Sequence, residues 1–196
     1  FNGHDMKLIL IRHGLPVRSD SSADPSLAPQ GVRQAEQMAR WLHDEGIDAL
    51  YSSPMRRARE TAEPLAALTG LTPRVVEGIA EYDQGSGRYV PMEELKRTDY
   101  AAWQAVVAGG GVDDITAFRE RVVTALLAVT AEHRGGTVAV CCHGGVINVW
   151  SGHVLGLAPR LFFEPHYASI HRFLCSSAGH LTVGSLNETA HLHAAL

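Results

Sequence analysis

The stretch LILIRHGLPVRSD, residues 8–20, runs four apolar residues straight into Arg12, His13 and Gly14. A short continuous apolar run reads as a strand buried on both faces, here Met6 to Ile11. Such a strand should close in a turn of small or polar residues. This one closes on a guanidinium and an imidazole. In open α/β sheets ligands bind outside the carboxyl ends of the strands, so these residues bear on fold and site together.

The neighbouring sequence supplies the rest of the sheet. Asp20 to Pro29 reads as a polar loop with two prolines. Gly31 to Glu45 is helical in period, with Val32, Ala35, Ala39 and Leu42 on one face and Arg33, Gln37 and Arg40 on the other. Gly46 stops it. Ala49 to Ser52 is a second strand, and Arg57 to Thr69 a second helix with Ala58, Ala62, Leu65 and Leu68 inward. Pro64 should bend that helix or mark its weak point. Arg74 to Val76 is a third strand. Residues 77–112 are irregular, holding Pro91 and the run Gly109-Gly110-Gly111, and read as a cap-like insertion. A long helix follows over Ile115 to His133, with Ile115, Phe118, Val122, Leu126 and Val129 on one face. Thr137 to Cys141 is a strand, Gly145 to Gly156 a buried helix, and Ala168 to Leu174 and His180 to Leu186 two strands around a turn at Ser176 to Gly179. Strands alternating with helices predict a three-layer α/β/α sandwich with a mostly parallel sheet.

Composition bounds the alternatives. The 196 residues are 45% hydrophobic, which fits one domain over residues 6–190 with a sizeable core. A net charge of -4 gives no global basic field for nucleic acid. Any anion site must come from a few convergent cations. No segment approaches the roughly 20 apolar residues of a membrane span. The cysteines are Cys141, Cys142 and Cys175, an odd count without a CxxC pair. They fit a reducing, cytoplasmic setting, with Cys141 and Cys142 facing opposite sides of a strand. Phe1 to Asp5 reads as an extension ahead of a native start at Met6. No cofactor motif or metal-ligand cluster is visible. His191 and His193 lack a carboxylate or cysteine partner.

Three strand ends carry unusual residues. The first gives Arg12-His13-Gly14. The second gives Ser52-Ser53, then Arg56 and Arg57. The strand at 137–141 gives Cys142-His143-Gly144-Gly145. One histidine at a strand end is usually structural. Two His-Gly turns and two guanidiniums on one sheet edge would repel each other without an anion between them. A phosphate suits the set: guanidiniums grip its oxygens in bidentate fashion, and a neutral imidazole can attack phosphorus.

Taken together, LIRHG, LYSSPMRRARETA and VCCHGG, in this order and on these elements, resemble the histidine phosphatase superfamily, which has the phosphoglycerate mutase-like fold. LAPQGVRQAEQMARWL is similar to the family's first helix and ASIHRF to its late strand. The resemblance implies a metal-independent phosphomonoesterase acting on a small phosphorylated metabolite, with His13 as the nucleophile that becomes phosphohistidine. It implies that Arg12 and Arg57 hold the phosphoryl oxygens and that His143 binds one oxygen and stabilises charge. Arg57, directly before the alanine of RRA, takes this role over Arg56, which reads as a residue on the surface or behind the site. GIAEYDQG resembles the segment carrying the proton donor, here Glu81, four residues before Gly85.

The substrate-facing positions depart from the family pattern. Leu15, Pro16 and Ser19 stand where a glutamate, a hydroxyl residue and an asparagine are common. Ser86-Gly87-Arg88-Tyr89 replaces WEG, and Gly111-Val112-Asp113 replaces GES. The expected partner is a small phosphate ester, with a homodimer left open. The cap has few basic residues (Arg88, Lys96, Arg97), which disfavours a highly charged substrate. Other residues have plainer expectations. His166 approaches the pocket and His171 lies on the surface. Tyr100 and Trp103 either line the pocket or pack the cap, and Ser52-Ser53 caps the helix that presents Arg57. The competing readings are mutase-type phosphoryl transfer and a non-catalytic phospho-ligand binder. A nucleotide-binding module is disfavoured, since no Gly-rich dinucleotide fingerprint follows the first strand.

Overall fold

The computed structural model describes residues 5–110 and 114–193. Phe1 to Asn2, Gly3, His4 and the Gly111-Val112-Asp113 segment lie outside the described residues, and with them most of the expected N-terminal extension. The elements are β1 (Met6–Arg12), α1 (Pro29–Leu42), β2 (Ala49–Ser52), α2 (Arg56–Thr69), β3 (Arg74–Val75), α3 (Met92–Thr98), α4 (Tyr100–Ala105), α5 (Ile115–Glu132), β4 (Thr137–Cys142), α6 (Gly144–Val154), β5 (Ile170–Cys175), β6 (Leu181–Glu188) and α7 (Ala190–His193).

The sheet has six strands in the order β3-β2-β4-β1-β5-β6. The pairings β2–β3, β2–β4 and β1–β4 are parallel, while β5 and β6 add an antiparallel edge. Side chains alternate across the strands and so divide into two cores. Leu8, Leu10, Val138, Val140 and Cys142 meet Phe118, Val122, Leu126, Ile147 and Trp150 of α5 and α6. Ile9, Ile11, Leu50, Ala139 and Cys141 meet Met38, Ala39 and Leu42 of α1 and Ala62 and Leu65 of α2. This is the expected three-layer sandwich, and the two adjacent cysteines do face opposite layers.

Register then gathers the strand ends. Arg12 pairs with Cys142, and Ser52 with Cys141. The ladder runs on past the strands: the His13 amide donates to the Cys142 carbonyl (3.0 Å) and the Ser53 amide to the Cys141 carbonyl (2.9 Å). His13, Ser53 and His143 are thereby fixed side by side on one sheet edge.

Several local expectations are corrected. Val32 is 44% and Leu68 51% exposed. Val32 lies about 60° around the helix from Ala35, at the rim of a stripe made by Gly31, Ala35, Met38, Ala39 and Leu42. Leu68 sits in the last turn of α2, just before the chain turns away at Gly70. Periodicity gives the direction of a face but not where its partner ends. α2 is one continuous helix with Pro64 inside it: the ring removes one backbone donor, and the remaining ladder and the packed face carry the helix past it. Residues 77–110 are more ordered than expected. A 3₁₀ turn at Glu77–Ile79, α3, α4 and a π-helical turn at Val106–Gly110 build the cap. The helices α3 and α4 bury no residue, so they carry little periodic signal. An exchange of backbone hydrogen bonds between Ser19 and Tyr89 (3.0 and 2.7 Å) and an ion pair from Arg18 to Glu94 (2.6 Å) tie the cap to the loop after β1.

Candidate active site

A cavity of about 410 Å³ opens at the gathered strand ends, with Arg12, His13, Arg57 and Glu81 on its wall. His13 follows β1 directly and is 2% exposed. Its Nδ1 lies 2.8 Å from the Gly14 carbonyl. Burial, with Arg57 and Arg12 close by, pushes its pKa well below the usual imidazole value. The ring is therefore neutral at pH 7. A carbonyl only accepts, so Nδ1 bears the proton and Nε2 presents a lone pair. The Arg57 Nε–H donates to that lone pair at 3.2 Å.

The backbone around His13 has no room for a side chain on Gly14. A Cβ there would lie 2.5 Å from the Gly31 carbonyl oxygen. The Gly14 amide donates to Thr61 Oγ1 (3.0 Å), and the Thr61 hydroxyl donates to the Arg57 carbonyl (2.7 Å). One threonine on α2 thus fixes the distance between the His13 turn and the helix that presents Arg57.

Both arginines are buried and held from several sides. Arg12 donates from Nη1 to the Pro165 carbonyl, and its guanidinium lies 3.9 Å from the centre of the Tyr167 ring. Arg57 donates to the Ala23 carbonyl (2.7 Å) and to Asp83 (3.3 Å), and stands 4.7 Å from the centre of the Tyr89 ring. The Tyr89 and Tyr167 hydroxyls are 3.3 Å apart. A bonded tyrosine pair therefore backs both cations, one ring against each guanidinium. Asn148 of α6 shapes the Arg12 side: its side chain donates to the Gly144 and Phe163 carbonyls and accepts from the Phe162 and Phe163 amides. That grip holds the loop that delivers Pro165.

His143 is fully buried, and its ring centre is 5.2 Å from that of His13. Burial comes first, then Arg57, His13 and Arg12, in pushing its pKa well down. Its Nε2 meets Ser53 Oγ at 2.7 Å. Ser53 Oγ also accepts from the Met55 amide (3.2 Å). With the Ser53 hydroxyl donating to Nε2, both groups are satisfied and the imidazole proton sits on Nδ1. Among the described residues, His143 Nδ1 and Arg12 Nε have no hydrogen-bond partner.

Glu81 is 8% exposed and accepts from the Gly145 amide at 2.8 Å. Desolvation, helped by Asp83, raises its pKa to about 7 despite that bond. Gly145 leaves the space: a Cβ there would lie 2.3 Å from Glu81 Oε1. The site therefore unites a neutral imidazole, two guanidiniums, a second imidazole and a carboxyl poised to exchange a proton near neutrality.

All five expected residues, Arg12, His13, Arg57, Glu81 and His143, are brought together, and Arg56 turns outward to Glu60 (2.6 Å) as expected. Other expectations fail. Ser53 does not cap α2, whose N-cap is Met55 without a side-chain cap; it reaches His143 instead. His171 is buried rather than on the surface, accepting from the Asn187 amide (3.1 Å) and bonding Ser169 (2.8 Å). Burial lowers its pKa to about 3. His166 is exposed and lines a separate cavity, while Tyr167 takes the place beside His13. Ala168 takes a positive φ of 55° inside a turn closed by the Ser169 amide on the His166 carbonyl (3.1 Å). Tyr100 and Trp103 stack on each other (5.2 Å) within the cap, and Lys96 lies over Trp103. His191 is buried with its Nε2 donating to the Ala168 carbonyl (2.8 Å). Tyr89, Tyr167, Thr61 and Asn148 were not singled out by sequence reasoning, and no local pattern marks them.

The fold and these residues define a known class of protein. The sequence profile of the histidine phosphatase superfamily, branch 1, matches residues 8–189, and the chain belongs to that superfamily. Among its relatives, phosphoserine phosphatase 1 of Hydrogenobacter thermophilus is 32% identical over 95% of this chain and 94% of its own length. A crystal structure of phosphoserine phosphatase from Entamoeba histolytica, in complex with phosphoserine, is 26% identical, with a TM-score of 0.76 over 95% of this chain and 99% of that one. YhfR of Bacillus stearothermophilus shares the fold, with a TM-score of 0.80 over 95% of this chain and 99% of that one at 20% identity.

Proposed function

We propose that this chain is a phosphomonoesterase that acts through a phosphohistidine, without a metal ion, on a small phosphorylated metabolite. The observation that carries the reading is the pair of buried, unpartnered donors beside His13, Arg12 Nε and His143 Nδ1. Buried donors without acceptors are costly. A phosphoryl group at His13 Nε2 supplies oxygens for both. Relatives named as phosphoserine phosphatases support the class of reaction.

In this reading the phosphoryl oxygens take over the Arg57 Nε–H that now occupies His13 Nε2. Nε2 then attacks phosphorus, and the bond to the alcohol oxygen breaks. Glu81 gives its proton to that oxygen, and the alcohol leaves. Water enters, Glu81 takes a proton from it, and the hydroxide displaces phosphorus from Nε2. Phosphate departs and Glu81 is again protonated. Arg12, Arg57 and His143 carry the charge that builds on the equatorial oxygens. Such pre-placed donors are usually the largest catalytic contribution.

Quenching the enzyme during turnover tests this. Trapped phosphate should be labile in acid and stable in base, and absent from His13→Ala. Activity should survive EDTA, and orthovanadate should inhibit by taking a five-coordinate form at Nε2. An acid-stable phosphoenzyme, or activity lost to chelation and restored by a divalent ion, would overturn the assignment.

A further inference from the structure

The cavity's wall changes character away from His13. Met92 and Leu95 of α3, Val106 and Val107 of the π-helical turn, and Leu161 and Phe163 of the loop held by Asn148 all face it. Neither α3 nor α4 buries any residue in the core. The apolar side chains of α3 are therefore placed on this wall and not in the protein interior. A phosphoryl group displaces about two waters' volume, ~60 Å³, so most of the 410 Å³ is left for the alcohol.

Charge points the same way. Arg12 and Arg57 stand at His13, which leaves Arg88 as the one further cation among the described residues lining the cavity, and it is exposed. Glu81, Asp83 and Glu164 bring three carboxyl groups to the same space. Asp83 is paired with Arg57 and Glu81 serves as the protonated acid, so a second anion on the substrate, beyond the phosphate, would find one exposed guanidinium, Arg88, offset by Glu164.

Resting on the phosphatase reading above, we infer that the alcohol half of the substrate is uncharged and apolar. The cavity takes phosphomonoesters of alkyl or aryl alcohols of several carbons in preference to those of hydroxy acids or amino acids. The phosphate end is read by Arg12, Arg57 and His143. The other end is read by Leu95, Val107 and Phe163, through burial alone.

Ethyl, butyl and hexyl phosphate test this, because lengthening the chain leaves the leaving group almost unchanged. Each methylene buried in the cavity should raise kcat/KM about three- to fourfold until the space is full. Hexyl phosphate should also exceed 3-phosphoglycerate, phosphoserine and aminoethyl phosphate, although their alcohols are the better leaving groups. Val107→Asp and Leu95→Asp should each lower the hexyl-to-ethyl ratio at least tenfold, and a ratio is insensitive to loss of folded protein. A flat alkyl series, with phosphoserine, 3-phosphoglycerate or aminoethyl phosphate turned over faster, would overturn this inference and leave the phosphatase reading intact. Inertness toward every ester, with no phosphoenzyme formed, would overturn both.

Discussion

Replacing Glu81 by glutamine keeps the shape of the side chain and removes its proton donor. The structure sets the size of the effect. With its pKa raised to about 7 from 4.5, about half the molecules hold the acid proton at pH 7. An ordinary carboxyl would hold it in roughly one molecule in 300. The difference is about 3 kcal/mol. Turnover of an alkyl phosphate by the wild type should therefore fall above about pH 7, as Glu81 ionises, and Glu81→Gln should lack that limb. An alkoxide cannot leave without a proton, so the variant should lose ~10²–10⁴-fold on alkyl phosphates. Nitrophenolate leaves unaided, so a stopped-flow burst of nitrophenol should survive, followed by slow turnover while water attacks phosphohistidine without a base. The same shift acts on stability. The unfolded carboxyl ionises near 4.5 and the folded one near 7, so between these values the folded state holds more protons and stability falls as pH rises. Glu81→Gln should escape that fall, so from pH 4.5 to pH 8 it should gain up to about 3 kcal/mol on the wild type in urea unfolding. Equal damage to the burst and to alkyl phosphate hydrolysis would refute the acid role. Near wild-type rates with both substrates would refute it too.

Two further substitutions probe the supports of the site. Gly145→Ala would place a Cβ 2.3 Å from Glu81 Oε1 and 2.8 Å from a Tyr82 ring carbon; it should reproduce the Glu81→Gln pattern of lost alkyl phosphate hydrolysis with a retained nitrophenol burst, and ordinary alkyl phosphate kinetics would count against the placement of Glu81. Asn148→Ala removes four hydrogen bonds to the Gly144 turn and the 162–163 backbone; with buried groups left unpaired it should cost about 2–4 kcal/mol, read as a lower urea midpoint at unchanged slope, and a loss within measurement error would show that the loop is held by other means.

The parts of this structure legible in the sequence are those written in adjacent residues. The alternation Leu8, Ile9, Leu10, Ile11 and the run Val138 to Cys142 specify strands covered on both faces, and the HG turns after them place the two histidines. Arg57 was legible against Arg56 because the motif's alanine fixes which arginine turns inward. What escaped depends on where distant segments meet. Ser53 looked like a helix cap because its neighbours in sequence are α2 residues, yet its partner is His143, brought beside it by strand register. His171 looked like a surface residue, but the Asn187 amide of β6 meets its ring and the Phe163 ring packs 5.8 Å from it. Tyr89 and Tyr167 lie in irregular segments 78 residues apart, and only the folded chain reveals that each backs an arginine. The cap helices are too short to show a period, and their apolar residues answer to a cavity instead of a core.

The two cysteines that split the sheet between its layers have a consequence for the conditions under which this chemistry can run. Cys142 stands directly before His143, as near the reaction centre in sequence as a thiol could be. Burial drives its pKa well up, holds Cys141 near 12 and Cys175 near 11, and leaves all three as shielded thiols. Peroxide and alkylating agents act on thiolates. Phosphatases that attack through sulfur are silenced by such oxidants, whereas the nucleophile proposed here is an imidazole with no thiolate beside it. None of the three thiols therefore offers an oxidant a ready handle, and the dephosphorylation proposed above should persist in peroxide that stops a thiol-dependent phosphatase.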